Sequence, residues 1–514
     1  MTARRRSEAG GLSVRRWHWL CIAAVGVVYD LQFLYEAPNP VDEGWPLYAA
    51  KRLHEGGTLY ADTFFVFPPG HLLSAWLGYA IAPPGLEWAR IFYAAFDVAL
   101  CLALYAFGRR WMPARFALLA ALLLALATYR AHAHHNIFGY RYLVWSVLAL
   151  VAFARSLQYE DRRWLFAAGV LAGVGTSFRL TPGFAVSVAI GLSLLTRPGG
   201  PQRWLRDAAA YAAGVLAVLT PVIAWLAIDV DLGTLWREIV VRPVVMTDLQ
   251  SLPLPPLVDP ELSGRAAWTA SFVGFQFRFY PLLLGGYGVA LARMGWRARA
   301  EGRRFAEPDE ALFLCAWLFA LVYFTRTLGR SDEAHLVSAL PPLCLLLGHA
   351  LSRVRLPAVL DTRAVFVPGV VVLAIWSGLW GADRAFAPLL RDLTGIASED
   401  APGWVEQRAG LRTSQASARE RIERGGAPRV LLDLSSRPLL YTTGEFTGPG
   451  WFDVVMPGTF MSGDEEQAFV DRLAAAPPTG VFWPAEPFDS IPERAVERTA
   501  PRLRAWAASV YGEP

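Results

Sequence analysis

Five clusters of polar residues interrupt an otherwise apolar chain, and each holds side chains able to do chemistry. The first is the adjacent pair Asp42-Glu43 in Val41-Asp42-Glu43-Gly44-Trp45. Paired carboxylates can supply a general base or a metal ligand. They equally suit a helix cap followed by a first-turn acid. Asp62 is either a further site carboxylate or a turn residue. The third cluster is Arg130, His132, His134 and His135, with Arg141 a few residues on. Its histidine spacing fits no standard zinc pattern, so it reads as a loop for phosphate or headgroups, or as a polar connector. Arg179 stands nearly alone between two apolar runs. Guanidinium is always charged and grips phosphate with two donors, so a phosphate is a natural partner; a headgroup anchor is the alternative. The last cluster is Gly329-Arg330-Ser331-Asp332-Glu333-Ala334-His335. There Arg330 and His335 can meet an anionic phosphate while Asp332 orients them, unless the segment is an ordinary connector. A divalent metal is left open as a cofactor.

The elements that must position these residues follow from composition. Of 514 residues, 54% are hydrophobic and only 18% charged, against roughly 25% charged in soluble domains. Mean hydropathy is +0.32. A hydrocarbon core about 30 Å thick needs about 20 apolar helical residues. Candidate spans cover 17–35, 90–108, 116–129, 142–157, 164–178, 182–195, 208–228, 271–293, 311–325, 335–351 and 365–380. The fold class is therefore mainly α, a polytopic transmembrane helical bundle of about 11 spans over residues 1–384. The net charge of +4 is small, and no basic stripe with interleaved aromatics points to nucleic acid. Cys21, Cys101, Cys315 and Cys344 all lie in apolar stretches and read as packing residues.

Cytoplasmic loops are enriched in Lys and Arg. With the N-terminus inside, the inner loops carry Arg109, Arg110 and Arg115; then Arg155, Arg162 and Arg163; then Arg197, Arg203 and Arg206. Further inner arginines run from Arg293 to Arg304 and from Arg353 to Arg363. All five polar clusters then share the outer side, with a tight outer turn at Arg179. The first outer loop, 37–89, holds a 12-residue apolar stretch at 71–82 between Pro68-Pro69 and Pro83-Pro84, too short to cross and expected as an interfacial or re-entrant helix. A second outer segment, 229–270, is rich in Pro and Leu. The tail, 385–514, has strand-like runs at 429–434 and 480–483 around a helix-like run at 464–475, expected as a small extracytoplasmic α/β domain. Asp464-Glu465-Glu466 reads there as a solvated helix start. An outward-facing site with carboxylates and arginines suits chemistry on a lipid-linked phosphate.

The run Val41-Asp42-Glu43-Gly44-Trp45-Pro46-Leu47-Tyr48-Ala49-Ala50, followed by Leu53-His54-Glu55-Gly56-Gly57, Tyr60-Ala61-Asp62 and Pro68-Pro69-Gly70, resembles the first outer loop of bacterial GT-C glycosyltransferases. The relatives it is similar to are protein O-mannosyltransferases and aminoarabinose transferases. Trp88-Ala89-Arg90, Arg179-Leu180-Thr181-Pro182-Gly183, Gly329-Arg330-Ser331-Asp332 with His335, and Leu439-Leu440-Tyr441-Thr442-Thr443-Gly444 fit the same family. The resemblance implies a multi-pass enzyme of the bacterial cytoplasmic membrane that moves a sugar from a polyprenyl-phosphate donor to a lipid, glycan or protein acceptor. It casts Asp42, beside Glu43, as the catalytic general base, with inversion at the anomeric carbon. Arg179, Arg330 and His335 would then neutralise the leaving phosphate, and Asp62, His134, His135, Arg141 and Asp332 would bind substrate. The second outer loop carries His134-His135-Asn136 and no acidic residue, so the resemblance supplies no second carboxylate there. Two other functions stay open: a transporter or flippase of lipid-linked glycan, and an O-antigen-type ligase or polymerase.

Overall fold

The computed structural model describes residues 3–31, 34, 39, 41–81, 86–127, 141–197, 200–302, 308–353, 430–443 and 446–513. The candidate span 365–380, the loop with His134 and His135, and the first part of the tail lie outside them. Ten of the eleven apolar runs fall on helices: α1 (Ala3–Leu31), α4 (Leu86–Gly108), α5 (Ala114–Ala127), α6 (Leu143–Tyr159), α7 (Arg162–Phe178), α8 (Leu180–Leu195), α9 (Gly200–Leu226), α12 (Gly264–Ala300), α13 (Pro308–Thr325) and α14 (Glu333–Arg353). Four described helical segments are long and apolar enough to cross a membrane: Trp88–Gly108, Gly200–Leu226, Pro308–Leu328 and Glu333–Arg353. Lipid offers no hydrophobic gain for helix association, so close backbone contact must supply it. At the crossing of α7 and α9 a Cβ on Gly169 would lie 2.0 Å from the Tyr211 carbonyl, and one on Gly214 2.1 Å from that of Phe166. Only glycine permits this approach.

The first outer loop is helical in two places: α2 (Gly44–His54) and α3 (Gly70–Ile81). The second of these is the short apolar helix expected between the proline pairs. The segment after α9 also folds: α10 (Leu232–Trp236) and α11 (Arg242–Leu249) are joined by one π turn, Arg237–Val241. In the tail, β1 (Leu431–Asp433) pairs in parallel with β2 (Gly480–Phe482), Leu431 opposite Gly480. Between the strands lie α15 (Leu439–Thr443) and α16 (Gly463–Ala475), and α17 (Val496–Thr499) and α18 (Pro501–Tyr511) follow.

The described tail does not stand apart from the loop. Trp45, Phe64 and Phe65 of the first outer loop, Leu235 and Met246 of α10–α11, and Leu432, Phe452, Phe469 and Leu503 of the tail form one apolar core. Trp45 stacks on Phe64 at 5.4 Å and Phe64 meets Phe452 edge-on at 5.2 Å. Lys51, the single lysine, donates to the Tyr441 carbonyl at 3.0 Å. Helix α2 starts so close to α15 that a Cβ on Gly44 would lie 2.3 Å from the Leu439 nitrogen.

Arg242 is the polar hub of this junction. It is fully buried. Its Nε donates to Glu238 Oε2 at 2.6 Å and its Nη2 to Glu465 Oε1 at 2.6 Å, with a further bond to the Thr459 carbonyl. Its guanidinium also lies over the rings of Phe64 and Phe452. The solvated reading of Asp464-Glu465-Glu466 is thereby corrected. Glu465 reaches the hub, and buried Glu466 accepts from the Leu503 amide at 2.9 Å. Helix dipole and capping favour acids at this helix start, and the apolar core then buries two of them. Removing one member of such a pair strands the other. Arg242→Met is expected to cost about 3–5 kcal/mol, read as a lower melting midpoint in detergent and faster protease release of the tail.

Asp453 fastens the same junction. It accepts from the Tyr48 hydroxyl at 3.0 Å and the Gly450 amide at 2.6 Å. Burial pushes its carboxyl up to about 6. A carboxyl raised in the folded state is stabilising when protonated, so this stability is full below about pH 4 and is lost as pH rises through about 6. The whole window corresponds to about 3 kcal/mol. Between pH 5 and 7 the tail is expected to loosen, seen as faster amide exchange at Gly450. Asp453→Asn, which keeps an acceptor for Tyr48, is expected to flatten that dependence.

Candidate active site

A cavity of about 1400 Å³ opens between the helix ends, the first outer loop and the tail. Its wall is built from segments distant in sequence. Residues 41–43 form a turn leading into α2, and Asp42 faces the cavity from it. Asn39 shapes the turn: its Oδ1 accepts from the Val41 and Asp42 amides at 3.0 and 2.9 Å, and its Nδ2 donates to Asp42 Oδ2 at 3.0 Å. Glu43 faces the other way. Arg90 grips it with Nε to Oε1 at 2.7 Å and Nη2 to Oε2 at 2.9 Å, and the two side chains are only 6% and 2% exposed. The third nitrogen of Arg90 donates to the Leu34 carbonyl at 2.8 Å.

Arg179 is the single extended residue between α7 and α8. It reaches the cavity with its guanidinium 4.7 Å from the Phe67 ring. Arg326 enters from the last turn after α13, donating to Ser338 Oγ at 2.8 Å and to the Tyr323 hydroxyl at 3.2 Å. Arg330 follows one turn on. Its Nε donates to Asp332 Oδ2 at 2.7 Å, and its Nη2 to Asp489 of the tail at 3.0 Å. Asp332 also binds His335, with Oδ1 2.7 Å from Nδ1 and 2.8 Å from the backbone nitrogen. Burial opposes ionisation of Asp332, but His335 and Arg330 outweigh it and hold the carboxyl well below the usual carboxylate range. A fixed negative charge therefore orients Arg330 and His335 across the physiological range.

The rest of the wall is mixed: Trp45, Phe67, Phe184 and Ile239 line it beside further charges, among them Asp248, Glu333, Arg437, Glu486 and Arg494. Phe184 of α8 and Val244 of α11 line it and are 63% and 58% exposed, so part of its rim is apolar. Such a site combines carboxylates, Asp42 among them, with the guanidiniums of Arg179, Arg326, Arg330, Arg437 and Arg494, and its volume leaves room for a lipid chain.

Of the residues singled out in the sequence, Asp42, Arg179, Arg330, Asp332 and His335 share this cavity. Glu43 does not line it; its oxygens hold Arg90. Asp62 is a turn residue, accepting from the Thr58 amide at 2.8 Å and from Thr63 Oγ1 at 2.9 Å, and it lies outside the cavity wall. Arg141 is buried and is likewise no part of the wall. His134 and His135 lie outside the described residues. Among the described residues no group of three His, Cys, Asp or Glu side chains is placed to hold a metal ion. Arg326, Asn39 and Asp489 were missed. Arg326 sits at the edge of an apolar run, where an arginine reads as an ordinary interface anchor. Asn39 and Asp489 carry no local signal.

The family model described as dolichyl-phosphate-mannose-protein mannosyltransferase matches residues 67–227. No curated protein matches by sequence. Among solved structures, ArnT from Cupriavidus metallidurans bound to undecaprenyl phosphate is similar with a TM-score of 0.50 and 19% identity, over 83% of this chain and 74% of that one. The Archaeoglobus fulgidus oligosaccharyltransferase is a more distant likeness, with a TM-score of 0.40 and 14% identity over 74% of this chain and 58% of its own. In fold, and in the segment matched by the mannosyltransferase family, the chain resembles the GT-C membrane glycosyltransferases.

Proposed function

We propose that the chain transfers a sugar from a polyprenyl-phosphate donor to an acceptor hydroxyl at the outer face of a bacterial cytoplasmic membrane, with inversion. One observation carries this reading: Asp42 and the guanidiniums of Arg179, Arg326 and Arg330 line a single cavity that the exposed apolar Phe184 and Val244 also line. The likeness to a structure that holds undecaprenyl phosphate supports the donor class. The arginine distribution supports a cytoplasmic N-terminus and an extracytoplasmic tail from about residue 385.

In this mechanism the Asp42 carboxylate takes the proton of the acceptor hydroxyl. The acceptor oxygen attacks the anomeric carbon from the face opposite the phosphate, and the bond from that carbon to the phosphate oxygen breaks. The transition state has oxocarbenium character. Charge grows on the departing phosphate, and prearranged guanidiniums in a site shielded from water stabilise it strongly. Arg326 and Arg330 are pre-aimed by Ser338 and Asp332. Arg179 is set against Phe67, where a phosphate entering between Phe184 and Val244 would meet it. The leaving phosphate monoester is stable as an anion, so no strong general acid is called for. Asn39 keeps the base in place through its bond to Asp42 Oδ2. Glu43 and Arg90 hold the turn that carries it.

Sugar transfer from radiolabelled polyprenyl-phosphate donors by purified protein tests the reading. Asp42→Asn is expected to lower kcat by about 10²–10⁴ with donor binding intact; full activity in that variant removes Asp42 as the base. Arg326→Gln is expected to lower kcat/KM by about 10²–10³. Glu43→Gln is expected to act differently: it lowers the melting midpoint by stranding Arg90, at a cost of about 3–5 kcal/mol, and lowers activity only in step with the folded fraction.

A further inference from the structure

A second polar pocket, of about 360 Å³, lies at the opposite end of the α7–α8 pair from Arg179. Its lining includes Arg162 at the start of α7, Arg197 just past the end of α8, and Arg203 and Arg206 in the first turns of α9. Helix α7 has 17 residues, so its two ends are about 25 Å apart. That is close to the thickness of a hydrocarbon core. If the catalytic cavity faces one membrane surface, this pocket faces the other, and its arginines are those that charge bias assigns to the cytoplasm.

We propose that this pocket binds the phosphate of an anionic membrane lipid in the leaflet opposite the catalytic cavity. Asp207, which is buried, organises the pocket: its Oδ1 accepts from Arg162 Nε at 2.8 Å and its Oδ2 from Arg197 Nη1 at 2.8 Å. Each of those bonds uses one of the five donors of a guanidinium. Arg203 stands farther off, 3.8 Å from Asp207 and 3.7 Å from Glu160. The other acid, Asp161, is engaged in capping α7 through the Arg163 amide. The pocket's four arginines thus outnumber its three acids. The first turns of α7 and α9 open into it, and helix N-termini add positive potential. A phosphate fits that donor surplus. Exposed Tyr159, Phe166, Leu195 and Leu205 lie within two residues in sequence of the lining residues Glu160, Leu165, Arg197 and Arg206. They offer an apolar surface to acyl chains, which a free phosphate would not use. Basic pockets between helices on the cytoplasmic side suit such headgroups.

Native mass spectrometry of the full chain, loaded with phosphatidylglycerol or phosphatidylcholine, tests this. The wild type is expected to retain phosphatidylglycerol about tenfold or more over phosphatidylcholine, and millimolar inorganic phosphate should not displace it. The Arg203→Gln/Arg206→Gln pair spares the buried Asp207–Arg197 contact and is expected to bring that preference close to one. Arg206→Gln alone, at an exposed position, gives a smaller loss in the same direction and keeps the test alive if the double variant misfolds. Arg293→Gln/Arg297→Gln, in the last turns of α12 and assigned by charge to the same face, should change nothing. Equal retention of both lipids by the wild type overturns the proposal. So does an equal loss in the Arg293/Arg297 control, which would mark general surface charge. Displacement by inorganic phosphate assigns the pocket to free phosphate and overturns the lipid. None of these outcomes depends on sugar transfer.

Discussion

The ion pair of Arg90 and Glu43 is the constraint on which the site depends. It joins the start of α4 to the turn before α2 by two parallel hydrogen bonds, with a third bond from Arg90 to the Leu34 carbonyl. In a nearly dry setting such a pair is held by its geometry, and breaking it leaves a buried charge. Adjacent residues in a turn point apart. By fixing Glu43 inward, Arg90 turns Asp42 toward the cavity. The carboxylate proposed as the base thereby shares the anchorage of α4. Within the acidic pair Glu43 is an anchor and Asp42 faces the cavity, so the two are not interchangeable.

Charge balance explains the rest of the cavity. The five arginines that line the cavity repel each other, and without counter-charges the site would be costly to assemble. Asp332 and Asp489 meet this need at Arg330, while Arg326 is held by neutral hydroxyls and so keeps its charge for a ligand. Asp489 comes from the tail, and Arg494 binds it in turn while donating to the Ser251 carbonyl at 2.9 Å. The tail therefore contributes electrostatics to the site as well as a wall. Its apolar core with the first outer loop keeps that contribution in register.

The helices of the bundle were legible because a long apolar run has few physical alternatives. Ten of eleven such runs fall on described helices. The tight break at Arg179 was legible for a similar reason, since a lone charge between two apolar halves marks a point where the chain meets a polar environment. What stayed hidden depends on contacts between distant segments. Helix α2 and the α10–α11 pair are amphipathic pieces stabilised by the tail, and sequence alone left them as loops. Glu465 and Glu466 looked solvated because acids favour a helix start, but the partners that bury them, Arg242 and the Leu503 amide, lie far away in sequence. Asp62 and Arg141 shared the residue types of a site without its location. Type and spacing can nominate a charged residue; only the fold decides which surface it lines.

Helix length adds a last step. Helices α7 and α8 have 17 and 16 residues, below the about 20 needed to cross a hydrocarbon core. Their neighbour α9 runs to 27, while α6 and α13, which also pack on the pair, have 17 and 18. In a bundle read as spanning the membrane, a short hairpin beside a longer helix either thins the bilayer or draws its ends inward. Its inner end is tied to the arginine pocket around Asp207. The shortfall then appears at the other end, and Arg179 sits deeper than a loop residue on a longer helix would. A lipid-linked phosphate lies at about that depth, held by its own apolar chain. On the proposed function, the brevity of two helices would bring the Arg179 guanidinium to the depth of a membrane-bound donor's phosphate, where a longer hairpin would lift it into water.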